Sequence, residues 1–147
     1  MLTGKNMASV SVSIDIAVSA ENAWHLVGDF DGLPGWLELI RSSRLSDGGR
    51  VRHLEAVNGS SIVERLLDHS DQNMQYLYTI LEGPDPVTDY TASMSLRRID
   101  AHHTTVTWAS RFQPNDPNEA ESLTAHYRSL YLAGLTRLKA VLETQGR

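Results

Sequence analysis

Residues 9–18, SVSVSIDIAV, alternate between apolar and polar positions. Val10, Val12, Ile14, Ile16 and Val18 fall on one face, and Ser9, Ser11, Ser13 and Asp15 on the other. Period-two alternation predicts a strand with one buried face. Ser19 then stands as an N-cap before AENAWHLV, a short helix predicted to turn Trp24 and Val27 inward. The following stretch, GDFDGLPGWLEL (28–39), breaks the pattern. Phe30, Leu33, Trp36, Leu37 and Leu39 are too many large apolar groups for a plain loop. Gly32-Leu33-Pro34-Gly35 is too poor a run for an unbroken helix. We read the stretch as an interrupted helix that closes one end of the fold, with a second short helix around Trp36 to Ile40. Phe30 and Trp36 are then anchored inward, and Asp29 and Asp31 are exposed or capping.

From residue 41 to 113 the pattern is all strand. DGG (47–49) and NGS (58–60) are hairpin turns. HSDQN (69–73) and DAHH (100–103) are polar turns, and EGPDPV (82–87) is a Pro/Gly loop. Between them lie RVRHLEAV, SIVERLLD, MQYLYTIL, DYTASMSLRRI and TTVTWASRF, which predict an antiparallel meander. The C-terminal segment reads as helix. Asp116 is the cap, Pro117 the first helical residue and Glu119 the capping-box partner. Leu123, Tyr127, Leu130, Gly134, Leu138 and Val141 form its apolar stripe. A helix of about 25 residues with one apolar stripe, and a sheet with one apolar face, are most economically satisfied by a curved antiparallel sheet wrapped around the helix.

Composition narrows the partners. The 147 residues, 41% hydrophobic and 21% charged, fit one domain at 9–145, preceded by a flexible extension over 1–8. The net charge of -5 argues against nucleic acid, because phosphate recognition needs clustered Lys and Arg. No apolar run approaches the roughly 18 residues of a membrane span, and no secretory leader is seen at the N-terminus. The absence of cysteine removes disulfides and thiolate chemistry and suits a cytoplasmic setting. His25, His53, His69, His102, His103 and His126 lack zinc-binding spacing, so neither a metal nor a cofactor is expected. Asn58-Gly59-Ser60 matches a glycosylation sequon, but a hairpin turn already accounts for it.

Three patterns in this order resemble the helix-grip fold of the START/Bet v 1-like (SRPBCC) superfamily, in its bacterial polyketide cyclase/dehydrase-like branch. VSAENAWHLVGDFDGLPGW is similar to that family's cap, helix, "DF" and tryptophan. IVERLLDHSDQNMQYLYTI is similar to its Glu-Arg strand, turn and aromatic strand. VTDYTASMSL with TTVTWASRFQP is similar to its last two strands. The resemblance implies an α+β fold of about seven antiparallel strands around a long C-terminal helix, with two short helices after the first strand. It also implies an apolar cavity between sheet and helix, with the 28–39 stretch on its wall.

Alternation then chooses faces. Tyr78 and Ile80, Tyr90 and Met94, and Trp108 each fall on the inward parity of their strand, and Leu130 and Gly134 on the helix stripe. Aromatic side chains with polar tips can surround an apolar molecule or simply fill a core. In SIVERLLD both parities are mostly apolar, so Glu64 is undecided between an inward position beside Ile62 and an outward surface pair. The resemblance extends distantly to the plant abscisic-acid receptors and implies a pocket-facing Glu64. Their carboxylate-binding lysine is replaced here by Leu37. Their Leu-Pro gate is Val57-Asn58-Gly59 here, and their His-Arg-Leu latch is Asp85-Pro86-Val87. A neutral or hydroxylated apolar ligand is therefore expected, held by Leu37, Leu39, Ile62, Glu64, Tyr78, Ile80, Tyr90, Met94, Trp108, His126, Leu130 and Gly134. Glu64, Tyr78, Tyr90 and His126 are the candidates for acid-base chemistry if the protein is instead a cofactor-free cyclase, dehydratase or isomerase. A third class, an interaction module, would show a large exposed patch, and no such run is present. Either a monomer or a homodimer fits.

Overall fold

In a computed structural model, which describes residues 7–145, strand β1 (Ala8–Ile16) is followed by helix α1 (Ala20–Val27) and a 3-10 turn (Leu33–Gly35). Strands β2 (Ile40–Ser46), β3 (Val51–Ala56), β4 (Ser61–Ser70), β5 (Gln75–Glu82), β6 (Val87–Asp100) and β7 (His103–Pro114) follow, and helix α2 (Ala120–Gln145) ends the chain. The seven strands form one antiparallel sheet in the order β1-β7-β6-β5-β4-β3-β2. This is the helix-grip arrangement. Register shifts within β4–β5, at Val63/Glu64 and Leu66/Asp68, bend the sheet so that its inner face turns toward α2.

Local chemistry explains the element ends. The Ser19 side chain accepts from the Asn22 N–H at the start of α1. Asp116 caps the short turn before α2 with Pro117 in its first position. Gly59 has φ 92 in the β3–β4 turn, a conformation that disfavours side chains.

Four expectations need correction. Residues 1–6 of the expected extension lie outside the described residues, and Ala8 already pairs with Phe112 in β1. No second α-helix forms around Trp36 to Ile40. The chain makes one 3-10 turn at Leu33–Gly35, Trp36 leaves helical geometry at φ -144, and Ile40 opens β2. Leu33, Trp36 and Leu37 are all buried. They keep the i, i+3, i+4 spacing of one helical face, and the Leu37 N–H still bonds the Leu33 carbonyl at 2.8 Å, but Gly32, Pro34 and Gly35 limit the helix to this single turn. Trp24 is half-buried, because its indole N–H reaches out to the Asp71 carboxylate at 2.8 Å. On α2 the fully covered stripe is Leu123, Tyr127, Tyr131, Gly134, Leu135, Leu138 and Leu142. Leu130 and Val141 lie at its edge, half-buried.

At Gly134 α2 lies close against Leu37 and Trp108. A Cβ there would lie 2.8 Å from Leu37 Cδ1 and 3.0 Å from Trp108 Cζ3. Its missing side chain therefore serves close packing and leaves no room for a ligand. Trp36, 1% exposed, closes the same contact with its ring edge-on to Trp108 at 5.8 Å. Trp36→Ala is expected to cost about 3 kcal/mol or more, and Gly134→Leu about 3 kcal/mol by overpacking. Urea denaturation of both variants measures this; wild-type midpoints would show that the junction is not tightly packed.

Candidate functional site

The inner face of β3–β6, the Leu33–Ile40 segment and the N-terminal half of α2 do not close on one another. They leave a cavity of about 350 Å³. Leu37 and Leu39 line it from the broken segment, Ile62, Glu64, Tyr78, Ile80, Tyr90 and Trp108 from the strands, and His126 and Leu130 from α2. Met94 and Gly134 do not reach it. Met94 is 1% exposed and sits between Tyr76 and Trp108 in the sheet register, so it is packed into the core. Gly134 is filled by Leu37 and Trp108, as described above.

Glu64 faces inward, which settles the tie left by alternation. Its Cα partner across β3–β4 is Arg52, a residue the sequence reading overlooked. Arg52 Nε donates to Glu64 Oε1 at 2.8 Å, and Nη2 reaches the same oxygen at 2.7 Å. Nη1 donates to the Phe30 carbonyl at 2.9 Å. The guanidinium lies over the Phe30 ring at 4.1 Å and the Tyr78 ring at 4.9 Å, so a cation-π contribution adds to the pair. Burial works against the charge on Arg52, but Tyr76, Glu64 and Tyr78 around it outweigh that and hold its pKa above the ordinary value. Burial pushes the Glu64 carboxyl up, with Arg52 pulling it down only in part.

A second polar system runs along the aromatic wall. Trp108 Nε1 donates to Tyr78 Oη at 3.0 Å. The Tyr78 and Tyr90 hydroxyls are 3.4 Å apart, the Tyr90 hydroxyl bonds that of Tyr131, and Tyr131 donates to Ser110 Oγ at 2.8 Å. Burial raises the phenols of Tyr78 and Tyr90 well above their ordinary value and pushes Tyr131 up to about 12, so all three stay protonated at neutral pH. Tyr131, stacked on Trp108 at 4.2 Å, was also missed; it lies four residues after Tyr127, and that spacing was available in the sequence. At the mouth, Tyr127 donates to Asp85 at 2.8 Å, and exposed His126 lies 3.7 Å from the same carboxylate. These contacts tie α2 to the β5–β6 loop.

Among the described residues no group of three or more His, Asp or Glu side chains is placed to hold a metal ion. Among them, too, no helix is long and apolar enough to cross a membrane.

The family described as "Polyketide cyclase / dehydrase and lipid transport" matches residues 7–143. An uncharacterised protein from Bacillus thuringiensis is 36% identical, with 92% of this chain and 98% of that one covered and a TM-score of 0.85. The protein XoxI from Bacillus cereus is 34% identical over 95% and 99% of the two chains, with a TM-score of 0.87. The Zhui aromatase/cyclase from a Streptomyces species shares the fold at 19% identity, covering 96% of each chain, with a TM-score of 0.85. No curated protein matches the chain.

The coupled pair predicts a pH dependence. With its folded-state pKa raised, Glu64 binds more protons folded than unfolded, so stability falls as pH rises through that window. Arg52→Met removes the opposing charge, raises the Glu64 pKa further and extends the decline to higher pH. At neutral pH the variant is expected to lose about 3–5 kcal/mol, and a second change, Glu64→Leu, to restore much of it and flatten the profile. Thermal melts of the three proteins across pH measure this; a single variant as stable as the double would contradict it.

Proposed function

Because the chain belongs to the family of polyketide cyclases/dehydrases and lipid-transport proteins, within the START/Bet v 1-like superfamily, we propose that it binds a small, largely apolar molecule in the cavity between the sheet and α2. The ligand is neutral or hydroxylated, lipid-like or polyketide-like. The observation that carries this reading is the cavity itself. A close-packed interior leaves few voids larger than a water molecule, whereas about 350 Å³ falls in the range of small-molecule sites. Its wall has the matching composition: aliphatic groups from Leu37, Leu39, Ile62, Ile80 and Leu130, aromatic faces from Tyr78, Tyr90 and Trp108, and one buried polar pair. A cysteine-free chain acting in the cytoplasm, as a monomer or homodimer, accords with this role.

One observation favours a second reading, a cofactor-free cyclase, dehydratase or isomerase. Glu64 lines the cavity with a carboxyl whose pKa is raised, the condition a general base near neutrality requires. Tyr78 and Tyr90 would then flank the reacting group with their rings, and His126 would exchange protons at the mouth.

Native mass spectrometry of protein purified from its own host is expected to reveal a retained apolar molecule. Ile62→Trp, which fills the cavity, is expected to remove that molecule while shifting the melting temperature by only a few degrees, about 1 kcal/mol. A variant that keeps the same ligand would place it elsewhere. A ligand recovered unchanged after incubation decides for a carrier. Conversion that is lost in Glu64→Gln decides for an enzyme.

A further inference from the structure

The indole and phenol groups along the cavity are already committed in a particular direction. Trp108 can only donate, and its N–H goes to Tyr78. Tyr131 gives its single proton to Ser110. The hydroxyls between them must then point the same way, Tyr78 to Tyr90 and Tyr90 to Tyr131. The chain runs from Trp108 to Ser110 with every phenolic proton used inside the protein. Tyr127, also on the wall, gives its proton to Asp85.

The buried ion pair is committed in the same sense. Every nitrogen of Arg52 has a protein partner, and its side chain is 1% exposed against 9% for Glu64. Both contacts to Glu64 fall on Oε1, so Oε2 has none of them. Among the described residues no buried side-chain polar atom lacks a partner, so Oε2 is open to space, and the space beside it is the cavity. The mouth repeats the sign, with Glu82, Asp85 and Asp89 against His126.

We infer that the cavity selects ligands by a hydrogen-bond donor: an apolar, ring-sized body carrying a hydroxyl or an ammonium that donates to Glu64 Oε2. Carboxylates meet the carboxylate that Arg52 pairs, and beside Glu64 ethers or ketones find the indole and phenolic protons already used. Asn58, Ser60 and His126, further side-chain donors on the wall, come from the β3–β4 turn and from α2. The inference rests on the reading that the cavity binds a small apolar molecule, and makes Glu64 its specificity-determining residue.

Calorimetric titration of the full chain at neutral pH tests it with naphthalenes bearing hydroxymethyl, methoxymethyl, aminomethyl or carboxylate at one position. The hydroxymethyl and aminomethyl compounds are expected to bind at least about tenfold more tightly than the other two, the worth of one hydrogen bond to a charged acceptor. The methoxymethyl compound keeps the body and loses only the donor. In Glu64→Gln the carboxamide turns its oxygen to Arg52 and its N–H groups to the cavity. The advantage of hydroxymethyl over methoxymethyl then disappears. Equal wild-type affinities for those two, or a difference that survives Glu64→Gln, overturns the inference while leaving cavity binding intact. If none of the four binds, the cavity reading fails and the inference falls with it. If Glu64→Gln does not fold, the wild-type ratio alone decides.

Discussion

Arg52 and Glu64 face each other on neighbouring strands, away from water, and each would be costly there without the other. Taking an ion from water into a protein interior costs several kcal/mol, which is recovered only with good geometry and further hydrogen bonds. Here the geometry is set by β3–β4 register, and the further partners come from the Phe30 carbonyl and the aromatic rings around the guanidinium. The pair therefore ties three things together: the hairpin register, the broken segment after α1, and the polar depth of the cavity.

The cavity follows from an imbalance. A seven-stranded sheet offers more inner surface than one helix can cover. At the β1–β7 side α2 is close enough to fill the space with Leu135, Leu138 and Leu142. At the β3–β6 side the sheet curves away, and only Leu130, Tyr127 and His126 look across. The rings of Tyr78, Tyr90 and Trp108 narrow the gap but do not fill it. Their hydroxyl and indole groups are satisfied by one another, which is why so many polar atoms can be buried beside an apolar space.

Much of this was legible in the sequence. Alternation located β1 and the inward parities of β5, β6 and β7, and the caps at Ser19 and Asp116 located the helix starts. The α2 stripe was located with a small rotational error. That error arose because Leu130 was counted in place of Tyr131: an edge leucine bordering a cavity looks like a core leucine in a helical pattern. Arg52 was passed over because an arginine on an alternating strand is ordinarily read as solvated. Counting outward from the turn at Asn58-Gly59 sets it opposite Glu64, so the signal lay in hairpin register and not in residue type. The 28–39 stretch was correctly read as broken and inward, but its apolar content suggested a helix that its glycines and proline could not support. The Tyr78–Tyr90–Tyr131 chain depends on side-chain contacts between separate elements, and no local pattern encodes it.

The contact at Gly134 divides α2 mechanically. The backbone there rests almost directly on Leu37 and Trp108, with Trp36 behind them. C-terminal to that point the helix packs against β1. N-terminal to it, the helix roofs the cavity and is held by Tyr131 on Tyr90 and Ser110 and by Tyr127 on Asp85. Gly134 thus marks the boundary between the two halves. The outer arm sets the height of the chamber through Tyr127 and Leu130, whereas the inner arm buries Leu135, Leu138 and Leu142. One helix therefore serves two purposes on either side of a single residue: its first half forms a wall of the cavity and its second half forms part of the core.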